Sequence, residues 1–258
     1  MKQYILPILL LSVALTGCRK EITLDLEDES NKVVIEAIIT EGPGPHTVQL
    51  TRSLGFTASN TFPAISNATV TLTDDIGNSE QLTETAPGIY TTATLVGGQG
   101  RTYQLNTWVD GTTYTAQCPM PVEVTMDTLM VDSFPSFGTY TKIIVPGYID
   151  PAGMANYYRF IVSVNGEKQE GFSVESDRFS DGNLVFQPLF VNDVELESGD
   201  VVQVTMECIA PDVYHYFFSM AQNVDNASTP ADPESNISGG ALGYFSVRTS
   251  STRTVMVP

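Results

Sequence analysis

The chain has 258 residues, of which 30 are Asp or Glu and 12 are Lys or Arg, for a net charge of −18. That balance excludes a nucleic-acid binder, which needs a basic patch to displace phosphate counterions, and excludes an electrostatic grip on anionic lipid. The length suits one large domain or two smaller ones at about 100–200 residues each.

Residues 1–17 read as a secretory signal peptide: Met1-Lys2 is a short basic start, residues 4–13 are mostly large and apolar, and Ala14-Leu15-Thr16-Gly17 turns small. The apolar run is shorter than the roughly 20 residues that a membrane-spanning helix needs. Leu15-Thr16-Gly17-Cys18 resembles the lipobox of bacterial lipoproteins. That resemblance implies cleavage before Cys18, a diacylglyceryl group on its thiol and a palmitate-type acyl chain on the new amine. Each buried methylene contributes about 0.8 kcal/mol, so several chains on Cys18 make a lasting anchor. Residues 18–31 follow as a polar tether.

From residue 32 the texture changes. Segments 33–40, 47–53, 68–74, 80–84, 88–92, 103–109 and 112–117 are short and rich in Val, Ile, Thr and Tyr. Gly, Pro, Asn and Asp punctuate them at 42–45, 74–78, 86–88 and 110–111. In 68–73, Ala68, Val70 and Leu72 share one face and the threonines the other, as a half-buried strand requires. Short strands with such turns predict an antiparallel β-sandwich, Ig-like or transthyretin-like, over residues 32–118. Pro119 and Pro121 then restrict the backbone and suggest a linker over 118–124.

A second β-rich domain is expected over 119–258, with strands near 142–149, 157–165, 172–175, 184–190 and 200–209 and a closing strand through 257. One short α-helix interrupts it near 211–224. Pro211 suits a first helical turn, and Tyr214, Phe217, Phe218, Ala221 and Val224 fall on one apolar stripe. The run 239–243 is glycine-rich but follows no βαβ pattern, and reads as a tight turn leading Tyr244 and Phe245 into the core.

Little in the chain points to catalysis. His46 and His215 are far apart without ligand-like neighbours, which argues against zinc. No Gly-x-Ser-x-Gly elbow, dinucleotide fingerprint or P-loop occurs. Asp225, Asp232 and Glu234, with Asn226 and Asn236, offer oxygen ligands of the kind calcium takes, but their spacing is not that of an EF-hand. The expectation is a solvated loop, no cofactor and no enzyme. Cys118 and Cys208 lie in a chain with a secretory signal, so they either form a disulfide or remain two separate buried thiols.

The lipobox, the tether and VVIEAIITEGPGPHTVQLTRS, followed by DPAGMANYYRF at 150–160, SDRFSDGN at 176–183 and NISGGALGYFS at 236–246, resemble Bacteroidota lipoproteins of the domain-of-unknown-function 4249 family. The resemblance implies an outer-membrane lipoprotein, genes near TonB-dependent receptors, and no assigned activity. Lys20-Glu21 partly resembles the export signal of that phylum's surface lipoproteins, and Asp127-Thr128-Leu129 resembles its O-glycosylation pattern, with Thr128 as acceptor.

The leading expectation is therefore a lipid-anchored, non-enzymatic binding or accessory module, with the membrane and a TonB-dependent transporter as partners. The first alternative is a fimbrial or stalk subunit assembled by strand exchange after cleavage at Arg52. The second is a lipid-anchored hydrolase. A ligand pocket is expected near the glycine-rich turn and Tyr244.

Overall fold

The computed structural model describes residues 30–55, 61–136, 138–190, 195–225 and 233–258. The chain is mainly β. Its first half forms β1 (Val33–Thr40), β2 (Gly42–Pro43), β3 (Thr47–Arg52), β4 (Thr69–Asp74), β5 (Ser79–Gln81), β6 (Thr83–Ala86), β7 (Ile89–Thr91), β8 (Val96–Gly97), β9 (Thr102–Val109) and β10 (Thr112–Pro119). Alternation drives these elements: in β1, Val33, Ile35, Ala37 and Ile39 are buried and the residues between them are not. Each fully buried aliphatic side chain of this kind contributes about 1.5–3 kcal/mol.

The second half forms β11 (Met126–Ser136), β12 (Thr139–Ile149), β13 (Tyr157–Val164), β14 (Glu167–Lys168), β15 (Ser173–Ser176), a 3-10 turn (Asp177–Phe179) and β16 (Leu184–Phe186). After these come β17 (Val201–Cys208), α1 (Pro211–Asp225), β18 (Ile237–Ser238) and β19 (Leu242–Met256). The sequence reading gave no strand at β11. Asp127, Asp132, Ser133 and Pro135 obscure its pattern, yet it pairs with β12 from Met126 to Ser136.

A nine-stranded sheet runs in the order β14-β13-β17-β19-β1-β3-β7-β6, with β15 also on β13. Strand β19 is its spine. The first part of β19 pairs in parallel with β1, from Val34 opposite Leu242 to Thr40 opposite Arg248. Its second part pairs antiparallel with β17, from Cys208 opposite Thr249 to Val201 opposite Met256. The antiparallel sandwich expected over residues 32–118 gains a parallel neighbour from outside that range, because the last strand returns to lie beside the first.

One face of this sheet is covered twice. Beside β1 and β3 lies the five-stranded sheet β18-β10-β9-β4-β5, whose Val70, Leu72, Tyr103 and Leu105 meet Ile35, Ile39, Leu50, Phe245 and Val247 in one core. Beside β13 and β17 lies the sheet β11-β12-β16, where Met126, Ile144 and Tyr148 meet Phe160, Val204 and Met206 in a second core. The nine-stranded sheet runs across the expected boundary at 118, and the first core takes Met120, Ile209, Phe245 and Val247 from beyond it. Residues 118–124 are not a free linker either: Met120 and Val124 are buried, and the Met120 amide donates to the Arg101 carbonyl at 2.8 Å.

Helix α1 covers part of the opposite face. Val213 and Phe217 are buried, with Tyr214, Tyr216 and Met220 half-buried beside them. The buried stripe is shifted from the one expected: Phe218 is exposed and Val213 enters the core. Under the helix, Glu207 accepts from Arg159 at 3.3 Å and Arg248 at 3.2 Å, and the Arg159 guanidinium lies 4.0 Å from the centre of the Phe217 ring.

Candidate functional site

The outward faces of β1 and β3 present Val34 and Glu36 next to Gln49 and Thr51. Leu242 and Gly243 open β19 beside them. Gly243 has φ of 93°, and a Cβ there would sit 2.1 Å from the Ile35 carbonyl oxygen. Only glycine therefore lets β19 start at this point. With Ser53, Phe62, Tyr216 and Pro233 these residues line a cleft of about 380 Å³.

The cleft lies at the glycine-rich turn, where a pocket was anticipated. Tyr244 is not one of its walls; it is buried and packs against Tyr216 in a tilted arrangement, with ring centres 5.1 Å apart. Burial, helped by the Glu36 charge, pushes the Tyr216 hydroxyl up to about 12, so it stays a neutral donor at physiological pH. The cleft thus combines apolar walls with the carboxylate of Glu36, the amide of Gln49 and a phenol. Among its lining residues there is neither histidine nor cysteine.

A second cluster joins two stretches that the sequence kept apart. Asp150 follows β12, Asp177 opens the 3-10 turn and Asp181 follows it, and one carboxylate oxygen of each lies within 4.8 Å of the others. Asp150 is fully buried. Its Oδ1 accepts from the Tyr158 hydroxyl and its Oδ2 has no partner. Burial pushes the Asp150 carboxyl above the ordinary value, against that hydrogen bond, and the charges of Asp177 and Asp181 push the same way. Sequence reasoning missed this trio; its signal was acidic residues set among turn formers at Gly153, Asn156, Gly182 and Asn183.

Other anticipated positions are scattered. Cys18 lies outside the described residues, as do Lys20 and Glu21, and Asn226 and Asp232 of the proposed calcium loop. Asn236 is engaged elsewhere: its side chain donates to the Phe245 carbonyl at 2.8 Å and accepts from the Phe245 amide at 2.9 Å. Thr128 is half-buried in β11, opposite Gly147. His215 is exposed; His46 is buried, which lowers its pKa and keeps its ring neutral. Arg52 is paired with Asp110 at 2.5 Å and donates to the Asn31 carbonyl at 3.0 Å.

Cys118 and Cys208 are free thiols. The disulfide alternative fails because strand alternation sends the two side chains into different cores, Cys118 between the first pair of sheets and Cys208 between the second. Cys208 Sγ accepts from the Val124 amide at 3.3 Å.

A search of curated proteins returns no match. Among protein families, the model described as Domain of unknown function (DUF4249) matches residues 19–254, nearly the whole chain after Cys18. The chain belongs to this DUF4249 family.

Proposed function

We propose that this protein is a lipid-anchored, non-enzymatic binding or accessory module of the outer membrane, facing outward and working with a TonB-dependent transporter. The observation that carries the reading is the cleft of about 380 Å³ at the start of β1, where ligand-sized concavity, about 300–1,000 Å³ as a rule, meets a few polar groups. Its chemistry suits a small apolar ligand whose donor group meets Glu36. The lipobox-like segment ending at Cys18 supports the anchor, and the Asn31 amide donates to the carbonyl of Ser53, a residue lining the cleft, at 2.9 Å. No helix among the described residues is long and apolar enough to cross a membrane.

Strand exchange after cleavage at Arg52 is the weaker reading. Cleavage there would release β1 and β3 together, although β1 is paired along its length with β19 and β3 pairs with β7.

Purification from detergent-solubilised membranes tests the proposal. Recovery with a β-barrel partner, or with a small molecule that a Glu36→Ala variant no longer retains, supports it. Recovery alone and empty overturns it. The anchor is tested separately: Cys18→Ala is expected to move the protein out of the membrane fraction, and unchanged fractionation refutes lipidation at that residue.

A further inference from the structure

We propose that Asp150, Asp177 and Asp181 form a binding site for one divalent cation of the calcium type. The site is distinct from the cleft and independent of the function proposed above.

The first argument is the unpaired buried oxygen. Asp150 is fully buried, and its Oδ2 has no partner at hydrogen-bond geometry, the Gly182 N–H lying near enough to lower the carboxyl's pKa without making that bond, although buried polar atoms are almost always satisfied. That carboxylate shares its space with two others, and among the described residues no Lys or Arg forms an ion pair with any of the three. Arg178, the nearest basic residue in sequence, lays its guanidinium 5.2 Å from the centre of the Phe179 ring. Three carboxylates gathered this closely, one of them fully buried, repel one another unless a positive charge joins them.

The second argument is that the cluster is built rather than incidental. Asp177 Oδ2 accepts from the Asn156 amide at 2.8 Å, and Asp181 Oδ1 accepts from the Gly153 amide at 2.7 Å. Each bond ties the 177–183 turn to the 150–156 loop, and each leaves the second oxygen of its carboxylate without a donor among the described residues. The Asp177 amide donates to the Asn156 carbonyl at 3.1 Å, and the Asp150 amide to the Asn183 carbonyl at 2.9 Å. At Gly182, with φ of 74°, a Cβ would come within 3.0 Å of the Ala152 Cβ, so the loops meet closely where the carboxylates converge.

The donor set selects the ion. All three ligands are hard oxygens, with neither imidazole nor thiolate, which excludes a zinc site of the usual kind. One carboxylate oxygen of each lies within 4.8 Å of the others, close enough for all three to reach one ion. Among hard cations calcium is favoured, because magnesium keeps several of its waters and is usually bound through one or two carboxylates rather than by an all-protein cage. Loop carbonyls and water would complete the six to eight oxygens, as a rule, that calcium takes. Bound there, the ion would clamp the loop leading into β13 to the turn leading into β16.

The test uses the full chain, stripped with a chelator and titrated calorimetrically with calcium and, separately, with magnesium. Terbium provides a second readout, since Tyr158 bonds directly to Asp150 and can sensitise its emission. The expected result is one equivalent of calcium bound, displacement of terbium by calcium, and weaker binding of magnesium. Asp181→Asn, at an exposed position where the amide oxygen can still accept from Gly153, should keep the fold and weaken calcium binding about tenfold or more, as loss of a charged ligand does. Asp150→Asn should abolish binding. Absence of calcium and terbium binding to the wild-type protein overturns the proposal, and so does binding left unchanged by a folded Asp181→Asn variant.

Discussion

Single carboxylates hold much of the loop structure of this acidic protein, and Glu80 shows how. Its oxygens accept from the amides of Ala93 at 2.5 Å, Thr94 at 3.1 Å and Leu95 at 2.7 Å, and from the Thr94 hydroxyl at 3.0 Å. Burial pushes its carboxyl up, but these donors outweigh it and hold the group below its ordinary value. A depressed folded value means that the stabilisation is complete above the ordinary value of 4.5 and is lost as pH falls through the lower folded one. Glu80→Ala should therefore lower stability by about 1–3 kcal/mol at neutral pH. Urea denaturation across the acid range should show the wild type losing more stability than Glu80→Gln below that ordinary value. The cysteines make a second prediction at this scale. Burial pushes the Cys118 thiol up to about 12 and raises that of Cys208. Both should resist an alkylating reagent in the folded protein and react fully in denaturant, with peptide mapping to locate the label; a mapped Cys118–Cys208 bridge would contradict the structure.

Among the elements, β19 and α1 show where local pattern suffices and where it does not. Alternating burial made β1, β4 and β9 readable, because one face of each meets a core and the other does not. Strand β11 escaped because most of its described side chains are exposed or half-buried, so its pairing with β12 carries it rather than apolar alternation. The helix was readable in extent but not in orientation, since Val213 and Phe218 exchange roles once the sheet chooses which side it covers. The start of β19 depends on one glycine. Gly243→Ala combines a positive φ with a Cβ only 2.1 Å from the Ile35 carbonyl oxygen. It should cost about 2–5 kcal/mol through backbone strain and overpacking. Thermal unfolding would check this, with Gly100→Ala as the comparison, since its φ is also positive and its Cβ would meet nothing within 4 Å.

For the whole molecule, the shared sheet has the largest consequence. A fragment of residues 32–118 lacks β19, the parallel neighbour of β1, together with Phe245, Val247, Val213 and Phe217 of its core. Such a fragment should show no cooperative thermal unfolding; a sharp transition would show that the first core closes without the last strand. The sequence by itself determined the β class, most strands and the turns, because period-two alternation and the backbone limits of Gly and Pro are local properties. It also indicated the glycine-rich turn beside the cleft. Only the tertiary structure decided that the first and last strands lie side by side, that Cys118 and Cys208 enter different cores, and that Asp150 meets Asp177 and Asp181. Those outcomes depend on which apolar faces cover one another across long loops, and residue spacing along a strand carries no record of its partner.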